Sequence, residues 1–166
     1  MTYTTPVYDR TQADITAQNS KAYLNVADWI RIYDNAEWVN DLFLSAIGID
    51  INFDTQADPT TSTVPDKTDW LNLLTGNIEV MRLWAYHYLG SYIFPDSLFV
   101  EIKDDWLDGY ENNAPNFSHA NSWEYVLDVL YNILNTWTPP TVTGNIEFVS
   151  GGDIELVGSG NLEFVG

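Results

Sequence analysis

The sequence predicts a mainly α protein: a small helical bundle of three main helices plus short ones, followed by a C-terminal three-stranded β repeat. Three observations carry this expectation. Three long stretches place apolar residues at three- and four-residue spacing, the mark of one buried helical face. Thr138-Pro139-Pro140 then stops the last stretch, because proline can neither donate the helical hydrogen bond nor fit inside the helix. After the prolines, one eight-residue phrase bounded by glycine is repeated three times. The expected organisation is a helical domain over 1–137, a stiff Pro-containing linker over 138–143 and the β repeat over 144–166.

Each element has its local reason. Residues 1–10 read as extended, with Thr5-Pro6 disfavouring helix. Thr11-x-x-Asp14 then predicts a capped short helix. The clearest element is "NVADWIRIYDNAEWVNDLFLSAIG". Asn25 caps it, Asp28 suits its positive end, and Gly48 stops it. Trp29, Ile32, Ala36, Val39, Phe43 and Ile47 form one face, with Asp34, Glu37 and Asp41 on another. "IDINFDTQADPTTSTVP" reads as a long loop. The next helix runs through "KTDWLNLLTGNIEVMRLWAYHYLG". Leu71, Leu74, Ile78, Met81, Ala85 and Tyr88 form its apolar face, and Gly76 weakens it by about 1 kcal/mol. "FPDSLFVEIKDDWLDGYENNAPNF" reads ambiguously; Pro95-Asp96 could open a short helix ending near Gly109. The last helix fits "SHANSWEYVLDVLYNILNTW", with Asn121 and Glu124 as a box-like start. Trp123, Val126 or Leu127, Leu130, Leu134 and Trp137 make its buried face.

In the repeat, alternation puts Ile146, Phe148, Ile154, Leu156, Leu162 and Phe164 on one face and Glu147, Glu155 and Glu163 on the other. "SGG" and "GSG" supply short loops between the strands. Strands this short are not stable alone, so the apolar face needs cover. The six apolar residues are therefore the candidate interface, packing on copies of the chain or on a partner rather than back on the bundle.

Composition narrows the function. The chain has 166 residues, enough for one domain with a real core. It holds 24 acids against six bases, a net charge of −18, with the bases scattered. Such a surface repels nucleic acid and anionic membranes, so neither is an expected partner. With no cysteine, disulfides, thiolate nucleophiles and Cys-based metal sites are excluded. The residues after Met1 lack basic and apolar regions, so no signal peptide is expected, and the apolar runs fall far short of the roughly 20 residues of a membrane span.

Catalytic patterns are weak. Asp50, Asn52, Asp54 and Asp58 have the alternate spacing of a calcium loop, but Thr55 and Thr61 stand where glycine and a bidentate acid are needed. A solvated loop is the expected reading, and no metal or cofactor is expected. Asp104, Asp105 and Asp108 could offer paired carboxylates, but acids are abundant throughout. His87 and His119 lack ligand spacing. The seven tryptophans fall mostly on helix apolar faces, which favours core packing over a sugar platform.

Three stretches together carry a resemblance. "YDRTQADITAQNSKAYLNVADWIRI" resembles a Y-[ST]-D-R-T-x-A-D-V … K-[AG]-Y-x-N-x-x-D-x-x-R-[IV] pattern. "PDKTDWLNLLTGNIEVMRLW" resembles the P-K-T-D-W … N-[IV]-x-x-[IL]-R pattern that comes after it. "SHANSWEYVLDVLYNIL" resembles its closing helix. The order is similar to that of tail-associated virion structural proteins encoded in phages and prophages of Gram-positive bacteria. It covers most of residues 7–137 and leaves out the C-terminal repeat. Arg10, Thr11, Asp14, Asn25, Asp28 and Arg31 match the first pattern, and Lys67, Thr68, Asp69 and Trp70 the second. Ala22 and the Leu-rich "LNLLTG" depart from its usual residues.

The resemblance implies a structural role without chemistry. The expected protein is an adaptor or accessory subunit of a phage tail, baseplate or fibre, assembled in the host cytoplasm into the virion. Its expected partners are other virion proteins and copies of itself, with a trimer favoured. The alternatives are a module binding host cell-wall glycan, a head or neck decoration protein, and a wall-degrading enzyme.

Overall fold

The computed structural model describes residues 2–21, 24–58, 67–89 and 115–138, and the backbone of 143–148 and 154–161. The short helix expected after Pro95 lies outside them. Among the described residues there are four α-helices: α1 (Gln12–Ala17), α2 (Val26–Leu42), α3 (Asn72–Leu89) and α4 (Phe117–Thr136). A π-helical turn over Phe43–Ile47 extends α2, and another over Lys67–Leu71 leads into α3.

Local chemistry sets most of the boundaries. Thr11 and Asp14 form a reciprocal capping box on α1, and Asn25 and Asp28 do the same on α2. Gly48 ends the turn after α2 with φ 77°, a left-handed conformation that glycine adopts without strain. There the Gly48 N–H donates to the Leu44 carbonyl at 3.0 Å, satisfying an acceptor the helix leaves open.

The start of α4 differs from expectation. Asn116, not Asn121, is the N-cap; its side chain accepts from the Ser118 and His119 N–H groups, and His119 Nδ1 accepts the Asn116 N–H at 3.1 Å. Asn121 and Glu124 thus lie inside the helix, where neighbouring elements use their side chains.

α2, α3 and α4 pack against one another around one core. Ile32, Ala36, Val39 and Phe43 meet Leu74, Ile78, Met81 and Ala85, with Trp123, Val126, Leu127 and Leu130 closing the third side; all are fully buried. Each larger side chain contributes about 1.5–3 kcal/mol by leaving water. Trp29, Trp70 and Trp84 pack at the margin of this core. Tyr88 departs from its predicted place: it is half exposed on the outer side of α3, stacked on Trp84 at 5.1 Å.

The C-terminal part corrects the predicted fold class. The body described with its side chains has helices as its only regular elements, with no strand, and among the described residues the expected three-stranded repeat is not found after it. The described backbone there forms one two-stranded antiparallel ladder, β1 (Thr143–Phe148) with β2 (Ile154–Asn161). β2 runs through Gly158-Ser159-Gly160, the stretch read as the second loop. Pairing is regular from Phe148↔Ile154 to Asn145↔Val157 and then shifts to Thr143↔Asn161. Gly144 alone therefore stands opposite Gly158-Ser159-Gly160, so the glycines absorb a bulge instead of turning the chain.

Candidate functional site

Arg10, Asp28, Arg31 and Glu124 converge from three elements into one charge cluster. Glu124 is fully buried and Arg10 is 4% exposed. Arg10 Nη2 lies 3.0 Å from Glu124 Oε1 and 3.2 Å from Asp28 Oδ1. Arg31 Nη2 lies 2.7 Å from each of the same two oxygens, and its Nε donates to Glu124 Oε2 at 3.0 Å. Two cations and two anions balance, so the cluster holds no surplus charge away from water.

The same cluster fastens the extended N-terminal strap. The Val7 N–H donates to Glu124 Oε2 at 2.6 Å, and Arg10 Nη1 donates to the Val7 carbonyl. The Asn121 amide both accepts from the Arg10 N–H and donates to its carbonyl. Asn35, fully buried on α2, does the same for Thr4. Tyr3 stacks on Tyr131 at 3.7 Å, and the Tyr3 and Tyr8 hydroxyls both donate to Asp128. Burial and the Asp128 carboxylate push the Tyr3 phenol upward. The strap is thus held by paired backbone and side-chain groups along the groove between α2 and α4.

The acidic loop after Gly48 is pinned in a similar way. Asn77 of α3 accepts the Asp54 N–H at 3.1 Å and donates to its carbonyl at 2.9 Å. The Gln56 N–H donates to the Tyr33 hydroxyl at 2.8 Å, and Trp70 Nε1 donates to the Ala57 carbonyl at 2.9 Å. Burial leads the causes that push the Tyr33 phenol up to about 12. Beside this loop, Glu37, Asn40 and Asp41 of α2 face Asp50 and Asn52 across a cleft of about 410 Å³. Among the described residues Glu37 Oε2 is buried there without a hydrogen-bond partner. Asp50 is turned to its own loop, accepting the Asn52 N–H at 3.0 Å. Among the described residues no group of three or more His, Cys, Asp or Glu is placed to hold a metal ion.

The other sequence candidates are dispersed. His87 lies on the outer side of α3 against Trp84 and Tyr88. Asp104, Asp105, Asp108 and Thr61 lie outside the described residues. In the candidate interface, the register sets Ile146 opposite Leu156 and Phe148 opposite Ile154, with Glu147 opposite Glu155. Leu162 and Phe164 lie outside the described residues. Glu124, Asn35, Asn77 and Asn121 are anchors that sequence reasoning misses. Their one signal is a polar side chain at a core-facing or half-buried helical position, where it needs a partner.

Comparison with protein-family profiles, curated proteins and solved structures finds no match.

Proposed function

We propose that the chain is a structural protein of a phage particle, an adaptor or accessory subunit of the tail, baseplate or fibre. One observation supports this reading above the others. Arg10, Asp28 and Arg31, matched in the phage-type pattern, meet in a single buried cluster; Asn25 caps α2, which presents Asp28 and Arg31, and Thr11 and Asp14 cap the short α1 that follows Arg10. That the matched residues lie together in one part of the fold supports reading the pattern as a single unit. The pattern residues with described side chains act in caps, ion pairs and packing, as suits a structural part.

In this reading other virion proteins and copies of the chain are the partners, with a trimer favoured, and assembly takes place in the host cytoplasm. Ile146, Phe148, Ile154 and Leu156 of β1 and β2 supply an apolar contact. The acidic faces of α2 meet basic patches on neighbours and set register. The net charge of −18 speaks against nucleic acid and anionic membrane as ligands. Among the described residues no helix is long and apolar enough to cross a membrane.

The test is to probe purified phage particles with an antibody to this chain. Several copies at the tail or baseplate are expected. Deleting residues 141–166 should abolish incorporation while circular dichroism still reports a helical body. A chain missing from purified particles sinks the proposal, and labelling at the head or neck replaces it with the decoration alternative. Binding of isolated monomer to cell-wall glycan would favour the host-binding alternative instead.

A further inference from the structure

We propose that the outer face of α3 is a self-association surface whose occupant is α3 of another copy of this chain. This goes beyond the virion role and stands without it, since it concerns only the affinity of the chain for itself in solution.

α3 is apolar on two sides. Its inner side fills the core through Leu74, Ile78, Met81 and Ala85. On the other, Leu73 and Val80 are 38% exposed and Leu83 and Tyr88 are 50% exposed. Leu73, Val80 and His87 recur at seven-residue spacing, with Leu83 and Trp84 between the last two. That makes a straight stripe along about 22 Å of helix. Val80, Leu83, Trp84, His87 and Tyr88 line an open depression of about 400 Å³ on it. Among the described residues, Leu73, Val80, Leu83, Tyr86 and Tyr88 are exposed large apolar side chains on α3, against only Tyr8 and Leu44 elsewhere. A concentration of this kind on one helix marks a contact surface rather than ordinary scattered exposure.

Charge selects the occupant. α3 carries one acid, Glu79, and one base, Arg82, and they pair with each other at 2.5 Å. The helix is neutral in a chain of net charge −18. α2, by contrast, bears Asp28, Asp34, Glu37 and Asp41 against Arg31. A basic partner is drawn to α2 and gains nothing at α3. Another copy carries the same charge and is repelled by acidic faces, so a neutral apolar stripe is where it can approach. Helix-on-helix packing of this stripe on itself is self-complementary, as an isologous contact requires. One helix pair lies at the small end of interface sizes, so the contact is weak in solution and strengthens where copies are held side by side.

Sedimentation equilibrium on the full chain tests this. The wild type should show a mass rising with concentration. Leu83→Glu should weaken association by roughly tenfold or more, as loss of a central anchor does. Leu44→Glu, at a residue 55% exposed after α2, should leave it unchanged. Circular dichroism confirms that both variants keep their helices. A second measurement uses the natural lack of cysteine. Leu83→Cys should give a covalent dimer on oxidation, and Leu44→Cys should not. A wild type that stays monomeric at all concentrations overturns the proposal. So does unchanged association of Leu83→Glu, or equal cross-linking at both positions. Failure to find the chain in phage particles leaves these outcomes untouched, so the two proposals fail separately.

Discussion

Glu124 stands in the interior of α4 with Arg10, Arg31 and the Val7 N–H as its hydrogen-bond donors. Glu124→Gln keeps the shape but strands two guanidinium groups beside Asp28 alone. Breaking a buried pair in this way costs about 3–5 kcal/mol, a large share of a domain's stability. Urea unfolding should show that loss, and a variant as stable as wild type would mean water reaches the cluster. Asp14 behaves differently, because it is at the surface. Its carboxylate accepts from Asn19 Nδ2 and from Thr11 Oγ1 and N–H, each at 2.7 Å, and these bonds, Asn19 first, hold its pKa down to about 2. A depressed carboxyl pKa means the cap contributes fully above the usual range near ~4 and fades as pH falls through about 2. Carboxyl NMR titration should place Asp14 low, and Asn19→Ala should raise its midpoint toward the ordinary value.

Two glycines with equal room around them should respond oppositely at the scale of the element. A Cβ would meet nothing within 4 Å at either Gly48 or Gly76. Gly48 has φ 77°, so Gly48→Ala should cost about 1 kcal/mol through backbone strain alone. Gly76 sits inside α3, so Gly76→Ala should add about 0.8–1 kcal/mol by helix propensity. Thermal unfolding of both variants checks the signs; a destabilising Gly76→Ala would show that α3 needs its backbone bare there. Helix faces are largely legible in the sequence because the three- and four-residue spacing of Ile32, Ala36 and Val39 depends only on neighbours within one turn. Tyr88 escapes that reading because it lies at the margin of the apolar arc, where stacking on Trp84 decides. The start of α4 escapes it too, since Asn121 and Glu124 share the spacing of a cap while serving the strap.

A whole chain of net charge −18 repels itself when folded, while its main ion cluster is buried and balanced. Salt screens the first and scarcely reaches the second, because the screening length drops from about 10 Å at 0.1 M to about 3 Å at 1 M ionic strength. Adding sodium chloride over that range should raise the thermal midpoint, on the order of 1 kcal/mol or roughly 3 °C for a chain of this size. A falling midpoint would mean that attractive surface pairs such as Lys21–Asp9 outweigh the repulsion. The candidate interface also belongs to this scale. Alternation marks Ile146, Phe148, Ile154 and Leu156 as one apolar set, and the ladder pairs them. It also carries β2 through Gly158-Ser159-Gly160, because glycine serves a bulge as readily as a turn and the paired strand decides between them.

By itself the sequence determined the helical body, the caps at Thr11 and Asn25, the stop at Gly48 and, apart from Tyr88 and Trp137, the residues by which each main helix enters the core. All of these arise from hydrogen bonds and side-chain spacing within a few residues along the chain. Only the tertiary structure decided that Arg10, Asp28, Arg31 and Glu124 share one cluster, that the strap lies between α2 and α4, and that α3 turns a neutral apolar stripe outward. A buried charge and an uncovered face are both defined by what lies opposite them, and for Arg10 and Glu124 that neighbour stands 114 residues away in the chain.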